Sequence, residues 1–266
     1  MELGATPNVL AEPALKFRST GREAMRLRFF AIAVGAALML LSPAAQAQPS
    51  PQWPSCTGVP GVDWDQQIRG CSTLIESGRE TPPRLAKAYD SRGIAYAKKA
   101  DYDRAIADFS AAIRLDPNNA GYYSNRGNAY NDKGDHARAI ADLNEAIRLD
   151  PKFATAYNNR CWARFLMGRD LDQALADCTA SLRLSPNQAD TINTRGVIQL
   201  KLGAYDRAIA DFSAAIAMNP KDAGSLYARG LAKLRSGDSA GGEADIAAAK
   251  AIKADIATEY AGYGVK

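Results

Sequence analysis

The chain has 266 residues, 47% hydrophobic and 23% charged, with a formal charge of +4, which is the composition of an ordinary soluble protein of one or two domains. Part of the charge sits at the N-terminus, where Lys16, Arg18, Arg22, Arg26 and Arg28 face Glu2, Glu12 and Glu23; the remainder carries a formal +2. Such a balance excludes a charge footprint for nucleic acid or for an anionic membrane.

Residues 25–47, MRLRFFAIAVGAALMLLSPAAQA, have a basic start, an apolar run over 29–41 and a small-x-small ending at Ala45-Gln46-Ala47. This pattern predicts a secretory signal peptide over 1–47, cleaved after Ala47. The run is shorter than the roughly 20 residues a membrane-crossing helix needs, so no stable insertion is expected once the signal is removed. No cysteine follows the small residues and no twin arginine precedes the run, which points to general secretion and a periplasmic or secreted product. Twenty-four residues before Met25 are more than a basic leader requires, so Met25 is read as the start.

Next comes an irregular segment, 48–61, where Pro51, Pro54 and Pro60 argue against a regular helix. Residues 62–76 align with 100–114, placing Trp64 on Tyr102, Ile68 on Ile106, Cys71 on Phe109 and Ile75 on Ile113. They predict the second helix of a degenerate half-repeat, with a loop over 78–83, so that 62–85 form one unit. From 86 to 256 the chain is periodic. The block DYDRAIADFSAAIRLDP ends at Pro117, and its counterparts end at Pro151, Pro186 and Pro220, offsets of 34 or 35. Each block is preceded by another helical stretch, as in YSNRGNAYNDKG and YNNRCWARFLMG. Asp116-Pro117, Asp150-Pro151, Ser185-Pro186 and Asn219-Pro220 predict helix ends. In the last block Ala254 stands where proline is expected, and the helix is predicted to run on through Ile252, Ile256 and Tyr260 as a C-terminal cap, with 257–266 as its end.

A 34-residue period of helix–turn–helix units resembles the tetratricopeptide repeat family. The resemblance implies an all-α fold, an α-solenoid wound as a right-handed superhelix of five repeats. Its small slot on the first helix holds Gly93, Gly127, Cys161, Gly196 and Gly230, and its large slot on the second holds Phe109, Leu143, Cys178, Phe212 and Ile246. These slots face each other, so a Cys161–Cys178 disulfide is expected, and Cys56–Cys71 by analogy; buried free thiols are the alternative. The third repeat carries one extra residue between Gly168 and Ala174.

No chemistry stands out from this pattern. His136 is the single histidine, in the turn beside Asp135, and supports no triad. No CxxC pair, phosphate loop or dinucleotide glycine motif is present, so no metal, no cofactor and no catalytic residue is expected. Asp108, Asp142, Asp177, Asp211 and Asp245 share one repeat position, and Arg92, Arg126, Arg160, Arg195 and Arg229 another. Either they pair or they stand as separate solvated charges.

The resemblance places function in a concave groove lined by the first helices. Its positions here are Ser124, Asn125, Asn128, Asn131 and Asp132, then Asn158, Asn159, Trp162, Phe165 and Leu166, then Asn193, Val197, Leu200 and Lys201, and finally Tyr227, Leu231 and Leu234. Asn125, Asn128, Asn159, Trp162, Phe165, Val197, Leu200 and Tyr227 are the candidate partner-binding residues, with asparagines satisfying a peptide backbone and aromatics anchoring it. Trp162 and Phe165 could instead pack between first helices. Family members that clamp a chaperone's terminal carboxylates use positions held here by Asp90, Ile94, Asp190 and Thr194, and the two carboxylates would repel such a peptide. The expectation is a non-enzymatic scaffold for an unidentified protein or peptide; the alternative is an assembly protein that self-associates through its terminal repeats.

Overall fold

The structure, a computed structural model, describes residues 52–265. The signal peptide and the choice between Met1 and Met25 lie outside the described residues. Among those residues the chain is helical throughout, with no strand. Helices α1 (Trp53–Thr57) and α2 (Trp64–Ser77) come first. Five hairpins follow: α3 (Pro82–Lys98) with α4 (Tyr102–Leu115), α5 (Ala120–Asp132) with α6 (His136–Leu149), α7 (Ala154–Met167) with α8 (Leu171–Leu184), α9 (Ala189–Lys201) with α10 (Tyr205–Met218), and α11 (Ala223–Ser236) with α12 (Ser239–Ile252). A short α13 (Ile256–Gly262) ends the chain. No described helix is long and apolar enough to cross a membrane.

Local chemistry sets most boundaries. Asp101 and Asp135 cap α4 and α6 by accepting from the backbone N–H of Arg104 and Arg138. The second helices stop at Asp116, Asp150, Ser185 and Asn219, all extended with φ between −132° and −144°, because the proline that follows each disfavours helical geometry before it.

Within each hairpin a small residue lets a large one approach. A Cβ on Gly93 would lie 2.8 Å from the Phe109 ring, and one on Gly196 2.7 Å from Phe212. Phe109, Leu143 and Phe212 are fully buried, each contributing about 1.5–3 kcal/mol of apolar burial. In the third hairpin Cys161 and Cys178 take these slots and are bonded, S–S 2.07 Å; Cys56 and Cys71 are bonded at 2.05 Å.

The recurring arginines and aspartates pair inside every hairpin. Arg92 donates twice to Asp108, and the same two-bond geometry joins Arg126 to Asp142, Arg160 to Asp177, Arg195 to Asp211 and Arg229 to Asp245, at 2.5–2.9 Å. The carboxylate side chains are only 6–11% exposed, so these are interior pairs rather than surface ones. Four guanidinium groups also reach the preceding second helix: Arg92 to Ser72, Arg126 to Ser110, Arg160 to Asn144 and Arg229 to Ser213. Among the described residues Arg195 reaches no side chain of α8, and the α8–α9 seam is the most sparsely packed junction between hairpins.

Three expectations are corrected. The segment 48–61 is not wholly irregular: α1 forms with Pro54 in its first turn, where the missing N–H costs no helical bond. Likewise α3 starts at Pro82, inside the predicted loop. Most consequentially, the last helix does not run on. Lys253 is extended at φ −141° and ψ 103° although no proline follows, and α13 is a separate helix that meets α12 only where the chain turns. Besides Ile252, α12 exposes mainly the small residues Ala244, Ala247, Ala248 and Ala251, which leave little apolar area for a covering helix. The extra residue of the third repeat lengthens the turn after α7, which has three residues where the turn after the equally long α11 has two, and it places Asp170 at φ 53° without a capping bond.

Candidate interaction groove

Consecutive first helices touch one another along the row α3, α5, α7, α9, α11, whereas consecutive second helices do not. The first-helix row is therefore the inner, concave side of the stack, and side chains pointing away from the second helices line a groove.

Towards the N-terminal end the groove wall is polar and knitted together. Asn125 donates to Asp90 on the neighbouring α3 at 2.7 Å, and Lys87 donates to the same carboxylate at 3.0 Å. Asn128 donates to Asp132 at 3.3 Å. Burial pushes the Asp132 carboxyl above its ordinary pKa, against the opposing pull of Lys98. Asn131 donates to the Asn159 carbonyl on α7, and its amide oxygen lies 3.2 Å from Nδ1 of half-buried His136. Asn125 thus has a second task that sequence reasoning missed: it ties two first helices together.

The C-terminal half is different, because α13 lies across it. Tyr263 packs edge-on against Trp162 with centroids 5.5 Å apart, and stands 6.3 Å from Phe165; Trp162 and Phe165 are themselves 5.3 Å apart. Tyr260 meets Tyr227 on α11 at 5.4 Å and Tyr263 at 5.9 Å. The Tyr260 hydroxyl fits over Gly224, where a Cβ would come within 2.9 Å of it. Burial raises the pKa of this phenol far above its ordinary value; the Asp222 charge adds to the rise and a hydrogen bond with Asn193 opposes it. Lys201 on α9 sits 4.9 Å over the Phe165 ring and donates to the Tyr263 carbonyl at 2.9 Å, satisfying a backbone group that the end of α13 leaves open.

Asn159, Trp162, Phe165 and Val197 therefore line one cleft of about 680 Å³, whose far wall is α13. Trp162 is half-buried, while Phe165, Val197, Leu200 and Tyr227 are buried, so they form a covered floor rather than an open surface. Asn125 and Asn128 lie apart, on α5. The signal for this cover was present in the sequence as Ile256, Tyr260 and Tyr263, spaced four and three residues apart on one helical face. Among the described residues no group of three metal-ligating side chains is assembled.

Two family profiles, both described as tetratricopeptide repeat, match the sequence: one over 91–152 and 127–189, the other over 163–228, together just over half of the chain. Among solved structures, a MamA protein is similar at 25% identity, covering 65% of this chain and 94% of its own, with a TM-score of 0.55. YrrB, a protein with an unusual peptide-binding site, is 19% identical and covers 73% of this chain and 98% of its own at a TM-score of 0.56. The Cut9–Hcn1 hetero-tetramer of the APC/C contains a chain 20% identical, covering 72% of this chain and 37% of that one at a TM-score of 0.64. No curated protein matches significantly.

Proposed function

The chain belongs to the tetratricopeptide repeat family, whose members mediate protein–protein contact, and from that premise we propose that it is a non-enzymatic scaffold of the cell envelope holding a peptide segment of a partner in its concave groove. The observation that carries this reading is the aromatic floor of Trp162, Phe165 and Tyr227, which already holds aromatic side chains against the first helices. Aromatic anchors in a desolvated setting dominate interface energetics. The polar wall beside it, with Asn128, Asp132 and Asn159, supplies donors and acceptors for a peptide backbone.

Export to the periplasm or beyond is supported by the apolar run and the small-x-small motif near residue 47, and by two disulfides, which persist in oxidising compartments. The cleft carries Asp190, Asp222 and Glu259 beside Lys221 and Lys253, and Glu259 pairs with Lys253, so its charge is mixed and the preference for a peptide rests on the aromatic floor. The test is to pan the mature protein against a random peptide library. Enriched sequences are expected to be aromatic, to lose binding at least about tenfold with Trp162→Ala, which removes a central anchor, and to keep it with Trp64→Ala, which alters an exposed tryptophan on α2. Equal losses with both substitutions, or with neither, would place binding outside the groove.

A further inference from the structure

We propose that the apolar half of the groove is a receptor for a short amphipathic helix presenting an aliphatic residue followed by aromatics four and seven positions later, and that α13 is a resident copy of that ligand which a partner helix of the same chemistry displaces. This deepens the groove reading and rests on it.

The seat is specific in four ways. Ile256, Tyr260 and Tyr263 project from one face of α13, and Ile256 and Tyr260 are 2% and 5% exposed. Gly224 leaves the room that a phenol hydroxyl takes up. Trp162 and Phe165 form the wall against which a second ring packs. Lys201 meets the C-terminal end of the helix, where open carbonyls and the negative end of the helix dipole call for a cation. None of these contacts is the one that a terminal cap would make, because α13 scarcely touches the end helix α12 and reaches instead across three first helices to α7.

The attachment is also suited to exchange. Only residues 253–255 join α13 to α12, and α13 is too short to be stable as a helix without its seat. A tether of this length gives an effective concentration of about 1 mM, so a resident helix whose own affinity for the seat is about 10–100 μM would weaken a partner helix roughly 10- to 100-fold.

The probe is a labelled synthetic peptide of residues 253–266, read by fluorescence polarisation against the full mature protein. In a Tyr260→Ala/Tyr263→Ala variant the resident helix loses its anchors, and the peptide is expected to bind at least about tenfold tighter than to wild type. Adding Gly224→Val or Lys201→Met to that variant is expected to remove the gain. Trp162 emission reports whether α13 has left. Departure of α13 without any gain in peptide binding would overturn the proposal. If the variant loses helical circular dichroism, a protease site inserted in the 253–255 tether and cut after folding replaces it. The released segment is then expected to dialyse away and the peptide to rebind, and a segment that neither leaves nor exchanges would overturn the proposal. A wild-type dimer that disappears in the double variant would assign the seat to a second copy and overturn it likewise. Library peptides that bind wild type and double variant equally well sink the displacement while leaving the groove reading intact; peptides that bind neither sink both.

Discussion

Removing the Cys161–Cys178 bond tests the packing logic of the repeat most directly. The two cysteines are 17 residues apart in sequence and both are fully buried. Closing a loop of that length removes denatured-state entropy worth about 3 kcal/mol at 25 °C. Cys161→Ala/Cys178→Ala loses that term and also leaves the large slot underfilled, for a total of roughly 4–5 kcal/mol. The neighbouring hairpin shows what the slots accept without a bond, since Gly196 lies under Phe212. Cys161→Gly/Cys178→Phe is therefore expected to recover roughly 1–2 kcal/mol over the alanine pair, even though glycine costs about 1 kcal/mol inside a helix. Urea titration followed by Trp162 emission, with Trp53 and Trp64 replaced by phenylalanine, reads this hairpin locally, which matters because repeat arrays need not unfold in one step. A loss of about 3 kcal/mol corresponds to a midpoint shift on the order of 1–3 M urea. If reduction moves the midpoint by less than about 0.3 M, the bond does not constrain the hairpin. If the Gly/Phe pair is no better than Ala/Ala, the slot argument is refuted.

Three further expectations concern the backbone and the charges. Ala100 occupies a left-handed turn position, φ 60°, where the corresponding turn in the next repeat has Gly134, so Ala100→Gly should raise stability by about 0.5–1 kcal/mol in thermal or urea unfolding, and a loss would refute the strain argument. Arg126→Ala strands the interior Asp142 carboxylate and should cost about 1–3 kcal/mol, with part recovered in Arg126→Ala/Asp142→Ala and little dependence on salt up to about 0.5 M; strict additivity in the double-mutant cycle would show that the pair is not coupled. Burial works to raise the pKa of Asp245, but hydrogen bonds from Arg229 and Lys233 outweigh it and hold the carboxyl below its ordinary value. Its stabilising contribution is thus fully present above the unfolded pKa of about 3.9 and is lost as pH falls towards the folded value, so wild type should lose stability more steeply than Asp245→Asn between about pH 5 and pH 2. Parallel curves would contradict this assignment.

What the sequence revealed and what it concealed divide along the range of the interactions. The hairpins were legible because their determinants are local: the proline stops and the Gly93/Phe109 type of pairing inside 16 residues. The Arg–Asp pairs were legible as a recurrence, and their two-bond geometry follows from residues 16 or 17 apart. Helix α1 was hidden because proline reads as a breaker until its place in the first turn is known. The break at Lys253 was hidden for a different reason. Nothing local forces it, and it becomes favourable only through contacts such as Tyr263 on Trp162, about a hundred residues away in sequence. In the groove, Trp162, Phe165, Val197 and Tyr227 were recognisable as positions; Ile256, Tyr260 and Tyr263 marked an apolar face but not which surface it would cover, and the bond from Asn125 to Asp90 depends on a neighbouring repeat.

The missing link from Arg195 to α8 has a mechanical consequence. Every other guanidinium in the series ties its hairpin to the one before, so the joint between α8 and α9 is held instead by the apolar core that runs through it and by Thr191, which donates to Asn158 on α7 at 2.8 Å. Helix α13 spans that joint from the inside, leaning on α11 at one end and on Trp162 of α7 at the other, as a strut spans the legs of a compass. A partner helix that took the seat of α13 would take over the same span, and would itself become the link between the third hairpin and the fifth.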